Sequence, residues 1–356
     1  MLAWTWKTAP ETLNGSASRA TTSSAAARAA ADDIAGRLGK PFQIAGAEFH
    51  VEASVGISLF PGDADGGHSL LQHADTAMYQ SKGRGRAAST VYARTSHDPL
   101  ERLSLTSRLR RAIADDELEL YYQPIVWTAS GRLHSMEALL RWNDPERGLV
   151  HPDRFLPAAE QMSLLEPIGE WVVGAMARQL RTWEAAGLRP RVSFNVSPRE
   201  LHRPDFALEL ITRLHAEGVD PSRLTMELTE SATLREPERI GPLLRELNDA
   251  GLQIAIDDFG AGWSSLSRLR LLPVQTLKID RSFLREIPDD PESGAIVRAV
   301  IALADALGMT TVAEGVEVPL QQHFLAAQGC PLAQGLLFGD AQPAAAITER
   351  LAAERA

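Results

Sequence analysis

The chain has 356 residues, 44% of them hydrophobic and 23% charged, with a formal net charge of −10. That is the composition of an ordinary globular protein, long enough for one large domain plus a smaller piece, and the acidic balance excludes a general electrostatic attraction to DNA, RNA or anionic membranes. The single cysteine, Cys330, excludes an intramolecular disulfide and a Cys2His2 zinc site, and fits a reducing compartment such as the cytoplasm. No apolar run approaches the roughly 18 residues that a transmembrane helix needs, and the opening MLAWTWKTAPETLNG lacks the apolar core of a signal peptide.

Residues 1–24 are rich in Ser, Thr and Ala without apolar periodicity and read as a disordered tail. Residues 25–38 predict a helix, with Ile34 and Leu38 on one face. Two strand-like runs follow, over 41–45 and 49–59, with Gly46 and Ala47 as a hairpin turn between them. A Pro-Gly-Asp turn at 61–63 leads to a second amphipathic pattern carried by Leu70, Leu71, Ala74 and Met78. The run Lys82-Gly83-Arg84-Gly85-Arg86 ends it and reads as a solvated basic turn. A polar linker is expected over 96–104, joining a partial domain at 25–95 to a large domain at 105–356. The large domain is expected to be entered by a helix over 101–114 with Leu103, Leu105, Leu109 and Ile113 on its apolar side.

A repeating pattern then takes over. Apolar, strand-like runs fall at residues 118–126, 135–142, 192–196, 224–229, 253–259, 276–279, 311–314 and 332–338, with helical patterns between most of them. Near-continuous apolar strands alternating with helices mean a parallel sheet, and eight of them in about 250 residues mean an α/β fold, a (β/α)8 TIM-like barrel. The first connection, WTASGRLHS, is too short for a crossover helix, so the first two strands should be antiparallel. The residues ahead of the barrel would form a small α+β remnant.

The stretch from 253 to 266, QIAIDDFGAGWSSL, is the centre of the pattern. Adjacent carboxylates at the end of a buried strand, Asp257 and Asp258, repel each other and are costly to desolvate. Either one caps the following helix, where Ser264 and Ser265 stand, and the other is solvated, or a divalent cation neutralises the pair. The other strands decide in favour of the cation. They carry Glu137, Asn195, Glu227 with Glu230, Lys278 with Asp280, Glu314 with Glu317, and Gln334, several of them flanked by apolar residues as in FNVS and MELTE. In a barrel mouth these would offer hard oxygen ligands for more than one Mg²⁺ or Mn²⁺ ion, together with a lysine.

Two resemblances carry this further. ASVGISLFP, HADTAMYQSKGRGR and the closing strand 89–92 resemble the C-terminal half of a GGDEF (diguanylate cyclase) domain, matching about residues 25–93. The name-giving loop is absent, so this segment is expected to lack the cyclase's metal- and GTP-binding half, and coding sequence upstream would be one explanation. YYQPIV, EALLRW, NVS, ELTES, DDFGAGWSSL, LKIDRSF, AEGVE and QGLLFG, spread over about residues 101–345, resemble the EAL domain of cyclic di-GMP phosphodiesterases.

That second resemblance implies hydrolysis of cyclic di-GMP to linear pGpG by water attack assisted by two Mg²⁺ or Mn²⁺ ions. It implies that Glu137, Asn195, Glu227 and Asp257 hold one metal and that Asp257, Asp258 and Glu314 hold or orient the second. Lys278 would steer the attacking water, Glu230 would brace the loop after Asp257, Glu317 would support the site, and Glu314 or the water itself would be the base. Gln123, Arg141, Gln334 and Asp258 would meet the nucleotide. A homodimer through the barrel is the implied assembly, with no nucleic-acid polymer and no membrane segment. Three positions depart from the family pattern: Trp263, Leu336 and the run 339–343; none removes a metal ligand, and the last two bear on contacts to guanine or phosphate. The alternatives are a receptor that binds cyclic di-GMP without cleaving it and a non-functional product.

Overall fold

The computed structural model describes residues 24–38, 42–44, 47–49, 55–60, 62–63, 67, 70–71, 73–74, 77–78, 89–92, 99–234, 236–260, 266–287 and 290–355. Residues 1–23 of the tail expected over 1–24, the basic run 82–86, residues 96–98 of the linker expected over 96–104 and the Ser264–Ser265 cap lie outside them, whereas Ser24 and residues 99–104 are helical. The chain divides into two compact units, Met1–Glu101 and Arg102–Ala356.

In the first unit a helix, α1 (Ser24–Leu38), precedes an antiparallel hairpin of β1 (Phe42–Ile44) and β2 (Ala47–Phe49), paired from Phe42↔Phe49 to Ile44↔Ala47. β3 (Val55–Ile57) pairs in parallel with β4 (Ser89–Val91). The single run expected over 49–59 is therefore two short strands, β2 and β3, in different sheets. Ser89 Oγ donates to Asp32 Oδ1 at 2.5 Å, tying β4 to α1, and the rings of His73 and Tyr92 stack at 4.2 Å.

α2 (Pro99–Ala114), which enters the second unit at Arg102, starts two residues earlier than its apolar pattern predicts, because Pro is tolerated in a first turn whose N–H groups have no partner anyway. A closed ring of eight strands follows: β5 (Leu118–Trp127), β6 (Leu133–Asp144), β8 (Val192–Asn195), β9 (Leu224–Thr229), β10 (Gln253–Phe259), β11 (Thr276–Ile279), β12 (Thr310–Ala313) and β13 (Leu332–Gln334). β5 closes the ring, antiparallel to β6 on one side and to β13 on the other, while the rest pair in parallel. Two short strands extend the rim, β7 (Gly148–Val150) beside β6 and β14 (Gln342–Pro343) beside β5. Neither is signalled by apolar alternation in the sequence.

The eighth strand stops at Gln334 rather than continuing to 338. Gly335 has φ +156°, and a Cβ there would lie 2.2 Å from the Val316 carbonyl oxygen, so the chain leaves the sheet by crossing close over another backbone.

Alternate residues explain the layers. Met136, Phe194, Met226, Leu228, Ile254, Ile256, Leu277 and Ile279 are buried in the main core, which also takes in helix residues such as Met176, Leu180, Leu244 and Val297. Ile125, Val312 and Leu332 form a separate buried cluster. Each is paired with, or two residues from, a polar residue of the barrel mouth: Ile125↔Gln334, Val312↔Lys278, Leu332 before Gln334. They line the lumen beside those polar residues, and the row below in β8, β9 and β10 carries Ser193, Thr225 and Gln253.

Candidate active site

At the mouth, Lys278 is the hub. Its ammonium lies 2.6 Å from Glu227 Oε2, 2.6 Å from Glu314 Oε1, 3.3 Å from Asp257 Oδ1 and 3.4 Å from Glu137 Oε2. The lysine is 1% exposed. Each acid comes from a different strand or strand end, so closure of the ring assembles the group. Glu137 also accepts from Asn195 Nδ2 at 2.7 Å and from Gln334 Nε2 at 2.7 Å. Gln334 Nε2 donates in turn to Gln123 Oε1 at 3.0 Å, and Gln123 Nε2 donates to the Gly339 carbonyl at 3.3 Å. Among the described residues the buried Gln334 Oε1 has no hydrogen-bond partner.

The adjacent acids of β10 need a special backbone. Successive side chains of a regular strand point to opposite faces. Here the pairing with β11 shifts register between Ile256 and Phe259, and Asp258 takes φ +54°. A left-handed residue costs about 1 kcal/mol, less for Asp than for bulkier side chains. As a result the carboxylates of Asp257, Asp258 and Glu314 all lie within 4.8 Å of one another, among the described residues a group able to hold a cation. The turn beyond is braced from below: Gly260 N–H donates to Glu230 Oε2 at 2.9 Å, and Glu230 is buried. Gly260 has φ +99°, and a Cβ there would meet the Phe283 ring at 2.9 Å.

Electrostatics report an excess of negative charge. Burial pushes Glu314 up to about 8, with Asp257 and Glu137 adding to the effect against the opposing Lys278. Glu227 is driven well above the usual carboxylate range, first by burial and then by Glu137. Asp258 rises to about 6 through burial, Asp257 and a hydrogen bond shared with Asp280. Burial alone would lower Lys278, but Glu137, Glu227, Glu314 and Asp257 outweigh it and hold the ammonium charged. Glu137 stays low because Lys278 and the Gln334 and Asn195 amides offset its burial. Five carboxylates against one ammonium in a desolvated mouth call for further positive charge, and an all-oxygen donor set without thiolate suits hard divalent cations.

The site residues expected from sequence do not all converge. Glu137, Asn195, Glu227, Asp257, Asp258, Lys278, Glu314, Gln123 and Gln334 share the mouth, and Glu230 sits beneath it. Glu317, like Asp258, is exposed; its backbone N–H donates to Gln321 Oε1 at 2.7 Å. Arg141 is buried on β6, its guanidinium 5.6 Å from the centre of the Tyr121 ring and within the field of Asp340, Glu137 and Asp153. Asp280, singled out only as a strand-end acid, proves to share a hydrogen bond with Asp258. Its position two residues after Lys278, past the end of β11, is the signal that could have found it. Trp263 lies outside the described residues. Leu336 is 60% exposed, and the run 339–343 holds β14 against β5.

Comparison with known proteins bears on the same residues. The EAL domain family matches residues 106–341, and the family described as diguanylate cyclase, GGDEF domain matches residues 17–88. The chain is 39% identical over 316 residues to the bifunctional diguanylate cyclase/cyclic di-GMP phosphodiesterase MucR of Pseudomonas aeruginosa, covering 88% of this chain and 46% of that protein. It is 38% identical over 328 residues to the cyclic di-GMP phosphodiesterase PdeR of Escherichia coli K12, covering 92% of this chain and 49% of that one. The chain thus spans about half the length of these curated relatives. Among solved structures, the PaMucR phosphodiesterase in complex with c-di-GMP is 40% identical with a TM-score of 0.66, over 68% of this chain and 99% of the other. A cGMP-bound form of the EAL enzyme Bd1971 is 29% identical with a TM-score of 0.67, over 81% and 76%. An acid-lined mouth on a barrel whose first strand runs backwards, together with these likenesses, establishes that the chain belongs to the EAL-domain family and carries a partial GGDEF segment ahead of its barrel.

Proposed function

We propose that the barrel hydrolyses cyclic di-GMP to linear pGpG. The observation that carries this reading is the Lys278 hub: a buried ammonium held by four carboxylates, beside the Asp257–Asp258–Glu314 group, with no metal-ligand position of the resemblance missing. The similarity to a relative whose structure is described as a c-di-GMP complex supports the choice of substrate.

Mg²⁺ or Mn²⁺, when bound, would lower the pKa of the attacking water and balance charge on the phosphoryl oxygens and the leaving 3′-oxygen. Glu137, Asn195, Glu227 and Asp257 would hold one ion, and Asp257, Asp258 and Glu314 the other. The chain's own residues do the positioning. Asn195 and Gln334 clamp both oxygens of Glu137 in one rotamer. Glu230 fixes the turn that follows the β10 bulge. Lys278 keeps its proton under the field of four acids and offsets negative charge as the phosphoryl group accepts the water. Without the ions Glu314 is raised to about 8 by burial, and a bound cation would favour its charged, ligating form. The unpartnered Gln334 Oε1 and the buried Arg141 stand ready for the nucleotide. No helix among the described residues is long and apolar enough to cross a membrane. The same reading places the protein in the cytoplasm, where Cys330 stays reduced, with a second barrel as its partner.

Pure protein incubated with cyclic di-GMP and Mn²⁺ should yield pGpG, resolved by chromatography, whereas a receptor would bind and release the nucleotide intact. Activity should depend on Mg²⁺ or Mn²⁺ and stop in EDTA, and full turnover after exhaustive chelation would sink the two-metal mechanism. With no GGDEF loop in its sequence, the same preparation should make no cyclic di-GMP from GTP. Any cyclase product would overturn the reading of residues 25–95.

A further inference from the structure

A cleft of about 650 Å³ is lined by Leu149, Val150, His151, Asp153, Arg154 and Arg281. β7 supplies the first two and pairs with the mouth end of β6 through Trp142↔Val150 and Asn143↔Leu149. Arg281 follows the mouth end of β11. β6 and β11 are four strands apart in the ring of eight, and the cleft takes residues that follow the mouth end of each. The size is that of a small-molecule site.

The charges of this cleft are opposite to those of the floor. Arg281 directly follows Asp280, which is bonded to Asp258, and Asp153 is close enough to Arg141 for each to feel the other's charge. The cleft therefore joins the metal edge of the site to its Arg141 edge. Arg281 is exposed and forms no ion pair among the described residues. Arg154 has only Asp153 at 3.9 Å, with both side chains exposed, a pair too weak to occupy it. A substrate with one phosphodiester would need the floor alone. A cyclic dinucleotide carries a second one, which the acids would repel and which guanidinium groups fit by bidentate hydrogen bonding.

We propose that Arg281, assisted by Arg154, holds the phosphodiester that is not cleaved, and so selects cyclic dinucleotides over simple diesters. This rests on the phosphodiesterase reading above. Leu149 and Val150 offer the adjoining base an apolar face.

The test compares wild type, Arg281→Ala, Arg154→Ala and Arg281→Lys on cyclic di-GMP and on bis(p-nitrophenyl) phosphate, with cyclic di-GMP binding measured by calorimetry in Ca²⁺. Arg281→Ala should raise KM for cyclic di-GMP about tenfold, the scale of a lost charged hydrogen bond, with kcat and p-nitrophenyl turnover unchanged. Its KM should depend less on salt than that of wild type, Arg281→Lys should recover part of the affinity, and Arg154→Ala should show a smaller rise. An unchanged KM and binding constant in Arg281→Ala would overturn the proposal, as would an equal loss on both substrates. If the wild type cleaves neither diester, the phosphodiesterase reading fails by itself, and calorimetry still decides whether Arg281 holds the nucleotide.

Discussion

Lys278→Met is expected to fold, to bind cyclic di-GMP and to be nearly inactive. Met keeps most of the volume of the lysine stem and removes the one ammonium that four carboxylates share. With Mn²⁺ present the ions balance those acids, so the melting temperature and substrate affinity should stay near wild type. The transition state loses a fixed positive charge, which costs kcat about 10²-fold or more. Without metal the outcome differs. Stripping the buried acids of the ammonium they share should destabilise the apoprotein by about 3–5 kcal/mol. Glu227 and Glu314 are already raised above their unfolded values. A raised carboxylate contributes stability at low pH that is lost as pH rises through its folded pKa. The apo variant should therefore melt progressively lower as pH climbs from 6 past 8, a dependence that Mn²⁺ abolishes. Thermal melts in EDTA and in Mn²⁺, with turnover measured alongside, check both halves. Normal hydrolysis, or inactivity that merely follows unfolding in Mn²⁺, would count against a catalytic Lys278.

Glu137→Ala should lose hydrolysis by about 10³-fold or more, some 4 kcal/mol of transition-state stabilisation. Glu137 is where the network converges: it accepts Asn195 on one oxygen and both Gln334 and Lys278 on the other. Its removal takes one acceptor from each of two amides and deletes an expected metal ligand, yet leaves the Arg141 and Gln123 side chains present to meet the nucleotide. Calorimetry in Ca²⁺ should still register cyclic di-GMP binding. Glu137→Gln, which keeps the shape and lowers the charge, should be nearly as inactive while melting close to wild type, because the loss is of a charged ligand rather than of packing. Near-normal turnover in either variant would refute the role assigned to this glutamate.

Much of this architecture was legible before any coordinates. Alternating strand and helix patterns, glycines behind helices, and one connection too short for a helix specify a barrel whose first strand runs backwards. These are local signals, set by burial period and chain length, and a linear text records them. Resemblance to the EAL family then supplied residue types for each strand end. What only the tertiary structure decided is direction and convergence. Adjacent Asp257 and Asp258 reach the same mouth because a bulge and a left-handed Asp258 undo the alternation of a strand. Glu317, three residues after Glu314, is exposed once the chain has left β12. The eighth strand ends at Gln334 because Gly335 must pass over Val316. Lys278 becomes the hub of acids drawn from positions 137 to 314, and Arg281 joins β7 in lining one cleft. Such distances depend on ring closure and strand stagger, which the order of residues encodes only through the whole packed core.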